Sequence, residues 1–129
     1  MTTIDARHVA TVQRYITAYN SFDIPGMLAT LAPEVEFRNV SDGTVTVATH
    51  GIEEFERQAI SGTSLFQSRQ QKIAALSFTA DRVVVDISYR AKLAVDLPNG
   101  LKAGESIALK GKSIFKFKGE LIIFIEDQS

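Results

Sequence analysis

Apolar and polar residues alternate along three segments as they do in half-buried strands, and on each apolar face one polar side chain intrudes: Asn39, Ser113 and Asp127. Val35, Phe37 and Asn39 share one face of a strand over residues 34–40, with Glu36 and Arg38 opposite. Ile107, Leu109, Ser113, Phe115 and Phe117 line one side of a later strand, against Lys110, Lys112, Lys116 and Lys118. The last strand groups Leu121, Ile123, Ile125 and Asp127. A carboxylate on a buried face costs several kcal/mol unless it is paired or its pKa moves, so the pattern points to a wet, lined pocket.

Three- and four-residue spacing of Val9, Val12, Ile16 and Tyr19 predicts an amphipathic helix over about 5–21. Asp23 can cap a shorter second helix with Pro25 in its first turn and Met27, Leu28 and Leu31 inward, ending at Pro33. Ser41-Asp42-Gly43-Thr44 reads as the turn of a hairpin whose second strand spans 45–48. A third helix opens at Thr49 or His50, runs to about Ser61 with Ile52, Phe55 and Ala59 on one face, and stops at Gly62. Beyond Ser68 the chain reads as strands over 71–79, 82–97, 102–118 and 121–128, joined by hairpin-like turns. Helices gathered first and an antiparallel meander last indicate an α+β fold, in one domain over residues 1–129.

Three short helices cover only one face of such a sheet. The other face is charged at Asp86, Arg90, Lys92 and Asp96 but carries Ile114, Ile122 and Phe124 near the end, which predicts a homodimer packed sheet to sheet. Fourteen basic and fifteen acidic residues leave a net charge of −1, so neither nucleic acid nor an anionic membrane is an expected partner. The polar opening at residues 1–8 reads as no secretory signal, and no apolar run approaches the roughly 20 residues that span a bilayer, so a cytoplasmic location is expected. With no cysteine and only His8 and His50, no metal spacing is present and no cofactor is expected. Gly111-Lys112-Ser113 lacks the glycine at 106 and the helix of a phosphate-binding loop, and Asn39-Val40-Ser41 is a sequon without a secretory context.

Asp127 is the sharpest candidate. Among Ile123, Ile125, Phe115 and Phe117 its carboxyl would be desolvated and its pKa raised towards that of a general base, whereas a frayed strand end would leave it solvated. Asn39 reads either as a partner for a ligand carbonyl or for Asp127, or as the start of the turn. Tyr15 and Tyr19, one helical turn apart with His8 near their face, can aim hydroxyl and imidazole groups into the cavity or pack as core. His50 is a candidate base or a helix cap, and Tyr89, with Val85, Ile87 and Leu93, a candidate contact or a packing residue. Ser113 and Phe115 complete the ligand-contact candidates.

The segment from Arg14-Tyr15-Ile16 through Phe22-Asp23-Ile24 to Glu34-Val35-Glu36-Phe37-Arg38-Asn39 resembles the first third of a bacterial ketosteroid isomerase. Thr49-His50-Gly51-Ile52-Glu53-Glu54-Phe55 is similar to the start of helix three in the nuclear transport factor 2-like superfamily, and Phe115-Lys116-Phe117-Lys118-Gly119-Glu120-Leu121-Ile122 to its closing hairpin. The resemblance implies a cone-shaped α+β barrel, with three helices on a curved antiparallel sheet around an apolar cavity. It carries Tyr15 onto an oxyanion-hole tyrosine. Asn39 stands where the isomerases have their catalytic aspartate, and Ser113 roughly where they keep a protonated aspartate, so steroid isomerase chemistry does not transfer. SnoaL-like members place an acidic general acid/base late in the fold, which implies Asp127. Two functions stay open: cofactor-free isomerase, cyclase or dehydratase chemistry on a small apolar carbonyl compound through Asp127, Tyr15 and Asn39, or a non-catalytic ligand-binding or association module.

Overall fold

Side-chain caps set the helix starts. In the computed structural model, which describes residues 4–129, α1 (Ala6–Asn20) begins at Asp5, whose carboxylate accepts the Arg7 N–H at 2.8 Å while His8 Nδ1 accepts the Asp5 N–H at 3.1 Å. That reciprocal pair satisfies two of the donors a helix start leaves open. Residues 1–3 of the polar opening lie outside the described residues. Asp23 caps α2 (Ile24–Leu28) through the Gly26 N–H at 3.0 Å, with Pro25 in the first turn as expected. Gly51, at φ +85°, opens α3 (Ile52–Thr63), whose first turn holds Glu53 and Glu54 at the positive end.

The strands are β1 (Leu31–Ser41), β2 (Thr44–His50), β3 (Phe66–Phe78), β4 (Arg82–Leu93), β5 (Ser106–Lys118) and β6 (Leu121–Gln128). They form one sheet in the order β2-β1-β6-β5-β4-β3. The meander from β3 to β6 is antiparallel, as expected, but β1 runs parallel to β6, so the sheet is mixed. Three helices pack on its concave face. Buried Val12 of α1 and Phe55 of α3 join Val35, Val83, Val85, Phe115, Ile122 and Ile125 of the sheet in one core.

Several boundaries differ from expectation for local reasons. Pro33 does not end α2, which closes at Leu28; it lies inside β1, where the register with β6 shifts between Leu31 and Glu36 and the missing N–H breaks no regular ladder. Gly62 does not stop α3, which continues to Thr63. β4 and β5 are shorter than 82–97 and 102–118, because residues 94–105 fold back on themselves with Leu97 N–H donating to the Leu101 carbonyl at 2.7 Å and Gly104 N–H to the Leu93 carbonyl at 2.8 Å.

The largest correction concerns β6. A bulge between Lys116 and Phe117 pairs Phe115 with Ile125 but Phe117 with Ile122, so the period of two slips by one residue near the start of the strand. Ile122 is therefore fully buried in the core, and Leu121 is exposed. The outer-face patch expected from Ile114, Ile122 and Phe124 loses its middle member. Of the remaining two, Phe124 lies under the cationic ends of Arg38 and Lys116, each 5.1 Å from its ring centroid. The end of β6 is tied down: Ser129 N–H donates to the Val40 carbonyl at 2.9 Å, and Asp42 N–H to the Ser129 carbonyl at 3.1 Å. At Gly111 a Cβ would stand 2.5 Å from the Gln128 carbonyl oxygen, so the close approach of β6 to β5 here requires glycine.

Candidate functional site

The three polar intrusions are lateral neighbours. Asn39 on β1 pairs with Asp127 on β6, and Asp127 pairs with Ser113 on β5, which places all three in one row across the concave face. Ser113, only 3% exposed, donates its hydroxyl to Asp127 Oδ1 at 2.6 Å. Its proton is spent on the carboxylate, so Ser113 positions Asp127 instead of offering a donor to a ligand. Asn39 is likewise committed. Its Nδ2 donates to Thr46 Oγ1 at 2.9 Å and Ser41 Oγ at 3.3 Å, while Thr46 Oγ1 donates back to the Asn39 carbonyl. The amide orientation is thereby set and Oδ1 remains as an acceptor, so Asn39 does not supply the donor for a ligand carbonyl that its position in the sequence suggested.

A cavity of about 340 Å³ opens between this row and the helices, lined by Tyr15, Tyr19, Phe37, Phe55, Arg69 and Asp127 among others. A second hollow of about 310 Å³ reaches outward past Tyr89, Gly111 and Ser129 and shares Tyr19, Asn39 and Asp127 with the first. Burial pushes the Asp127 carboxyl up from 3.8 to about 6, with the Ser113 hydrogen bond pulling the other way. Burial, and secondarily the Asp127 charge, raises the Tyr15 hydroxyl well above its ordinary 10. Tyr15 is thus a phenol at neutral pH, wedged edge-on against Phe115 at 5.8 Å. Tyr19 and Tyr89 share a hydrogen bond at 3.0 Å, and burial raises both. Replacing Ser113 with Ala is expected to move the Asp127 pKa further up, since the one opposing influence is lost, and to cost about 1–3 kcal/mol of stability. A carboxyl-carbon NMR titration reads the first and urea unfolding the second.

The model of the SnoaL-like domain family matches residues 12–125 of the chain. This chain belongs to the SnoaL-like family. None of the curated proteins matches the sequence. Solved structures share the SnoaL-like chain's fold at low identity. An NTF2-like protein of unknown function from Burkholderia pseudomallei is 23% identical, with 95% of this chain and 90% of that one covered and a TM-score of 0.77. A protein provisionally named a SnoaL-like polyketide cyclase from Jannaschia sp. CCS1 is 15% identical over 98% and 88%, at 0.81. TerC, co-crystallized with polyporic acid, is 14% identical over 95% and 90%, at 0.76. The resemblance is therefore borne out for the SnoaL-like family, and for the nuclear transport factor 2-like group as fold.

The SnoaL-like cavity gathers Asp127, Tyr15, Tyr19 and Asn39, with Tyr89 and Ser113 lining its outer hollow and Ser113 bonded to Asp127. Other expectations are corrected. His50 stands exposed at the end of β2, its Nδ1 3.1 Å from Glu36 Oε1, and lines neither hollow; the β1–β2 register turns it to the outer side. Phe115, 1% exposed, lies beneath Tyr15 as a wall and not as a ligand contact. His8 is buried near the β5–β6 turn, packing on Phe117 with Nε2 2.9 Å from the Gly119 carbonyl; because Nδ1 accepts the Asp5 N–H, Nε2 carries the proton. Sequence reading passed over Arg69 altogether. It is 6% exposed, lines the cavity and donates from Nε to the Tyr19 carbonyl at 2.9 Å. The available signal was parity: Arg69, Gln71 and Ile73 are the less exposed residues along that stretch of β3 and share a face.

Proposed function

We propose that the protein binds a small, largely apolar carbonyl compound in the cavity and moves a proton on the carbon beside that carbonyl, with Asp127 as the acid/base. The observation that carries this reading is a carboxyl held by Ser113 in a cavity wall with its pKa raised to about 6. At neutral pH such a group is largely ionised and yet basic enough to take a proton from an activated carbon. With Oδ1 bonded to Ser113, Oδ2 is the oxygen left to receive it. Tyr15, kept protonated by burial, supplies an O–H for the oxygen on which negative charge develops. Asn39 Oδ1 accepts a hydrogen bond from the protonated Asp127 or from a ligand hydroxyl. TerC, which shares this fold, was co-crystallized with polyporic acid, and that supports an organic ligand for this protein.

Proton exchange tests this without knowledge of the natural substrate. An enolisable two-ring ketone, 2-tetralone, is incubated in D2O and its α-deuteration followed by NMR. The protein is expected to accelerate exchange on the order of 10² to 10⁴ over buffer, and Asp127→Asn to return it to background. Equal exchange with and without the carboxylate would leave a ligand-binding module as the better reading.

A further inference from the structure

Arg69 is a buried cation without a counter-ion among the described residues. Its Nη2 is buried with no hydrogen-bond partner among them. A guanidinium stays charged at any accessible pH, so leaving one in a cavity wall with an open N–H pair costs several kcal/mol. The surroundings hold it in place. Its Cζ lies 3.7 Å from the Tyr19 ring centroid and 4.5 Å from that of Phe22, and Nε is pinned to the Tyr19 carbonyl. Phe22 itself has φ +57°, a left-handed conformation that is costly for a bulky side chain and here brings its ring to the guanidinium. Asn20 bonds both the N–H and the carbonyl of Gln71, docking the end of α1 onto β3 beside Arg69. Gly62, inside α3, leaves the other side clear: even a Cβ there would stand 3.9 Å from Nη1.

We propose that Arg69 anchors an anionic oxygen group of the ligand, so that the cavity takes an organic acid whose apolar body reaches from Arg69 to Asp127. This rests on the reading of the cavity as the ligand site, and it names the substrate class that reading left open. The cation supplies what the rest of the lining, without a positive charge, lacks: a directional fork for a carboxylate or ionised enol. Phe37, Phe55 and Met27 line the intervening wall and suit an apolar body. The two functions divide. Arg69 fixes one end of the molecule, which sets the carbon that Asp127 meets at the other.

Isothermal titration calorimetry with 2-naphthoate and its neutral isostere 2-naphthamide tests the assignment. At pH 5.5 the naphthoate is ionised and Asp127 is mostly protonated, so the two carboxyls do not repel. The wild-type protein is expected to bind naphthoate at least about tenfold more tightly than naphthamide. Arg69→Gln should abolish that preference, and Arg69→Lys, which keeps the charge but not the fork, should retain part of it. Circular dichroism establishes that each variant folds, and the wild-type comparison stands without either. Equal binding of the two probes by the wild type, or an undiminished preference in folded Arg69→Gln, overturns the anion assignment while leaving the cavity a ligand site. Binding of neither probe overturns both. Loss of 2-tetralone exchange alone would instead remove the catalytic reading and leave the Arg69 result untouched.

Discussion

Asp127→Asn should remove proton exchange and at the same time make the protein more stable at pH 8. Both effects follow from one burial. An unfolded chain titrates this aspartate near 3.8, whereas the folded protein holds the proton until about pH 6. Between these values the native state binds more protons than the unfolded state, so stability falls as pH rises; above 6 the whole cost is present. A displacement from 3.8 to about 6 corresponds to about 3 kcal/mol. The amide has the same shape, still accepts the Ser113 hydroxyl and carries no charge, so it escapes that cost. Urea unfolding at pH 4 and pH 8 should show the wild type weakening by up to about 3 kcal/mol from this group, and the variant lacking that component. Tyr15 and Tyr19 stay protonated over this range, so Asp127 is the cavity group whose titration is read. A variant that is less stable than the wild type at pH 8 would mean that the carboxylate is solvated, and the acid/base reading would fall with it.

The period of two in the strands was enough to single out Asn39, Ser113 and Asp127, because a polar residue on an apolar face needs only local sequence to be seen. Their adjacency was not. β1 joins β6 across most of the chain and in parallel, a pairing that no turn signal announces, so three separate anomalies became one row only in the folded sheet. The bulge between Lys116 and Phe117 carries no residue signature of its own, which is why Ile122 was assigned to the surface and lies in the core. His50 failed for a similar reason. An imidazole before a helix looks like chemistry, but its facing is decided by the β1–β2 register, which points it at Glu36 and solvent. Arg69 was hidden by its neighbours: Ser68, Gln70, Gln71 and Lys72 are all polar, so no apolar face marks it, and the burial comes from Tyr19 and Phe22, some fifty residues earlier in the chain. Local pattern thus reported which strand faces were wet, and tertiary pairing decided which residues met.

Phe115→Ala should cost about 3–5 kcal/mol, the largest loss expected of any single truncation near the site. Phe115 is 1% exposed and pairs laterally with Val83 and Ile125, both fully buried, so neighbours on either side are held in the sheet and cannot collapse into the space. The lost transfer free energy therefore adds to an unfilled hole. For a chain of 129 residues this corresponds to a fall in Tm of about 10–20 °C by calorimetry. Phe115→Leu, which keeps most of the volume, should cost less than about 1.5 kcal/mol. The same pair separates support from contact. Tyr15 rests edge-on against the Phe115 ring, so Phe115→Ala frees the phenol that we propose donates to the developing charge. Exchange of 2-tetralone, measured below the Tm of the variant, should then fall, whereas binding of 2-naphthoate, anchored at Arg69, should change little. A Phe115→Ala protein that melts within about 3 °C of the wild type would show that the core under the site collapses readily. In that case Tyr15 is placed by α1 alone and not by the wall beneath it.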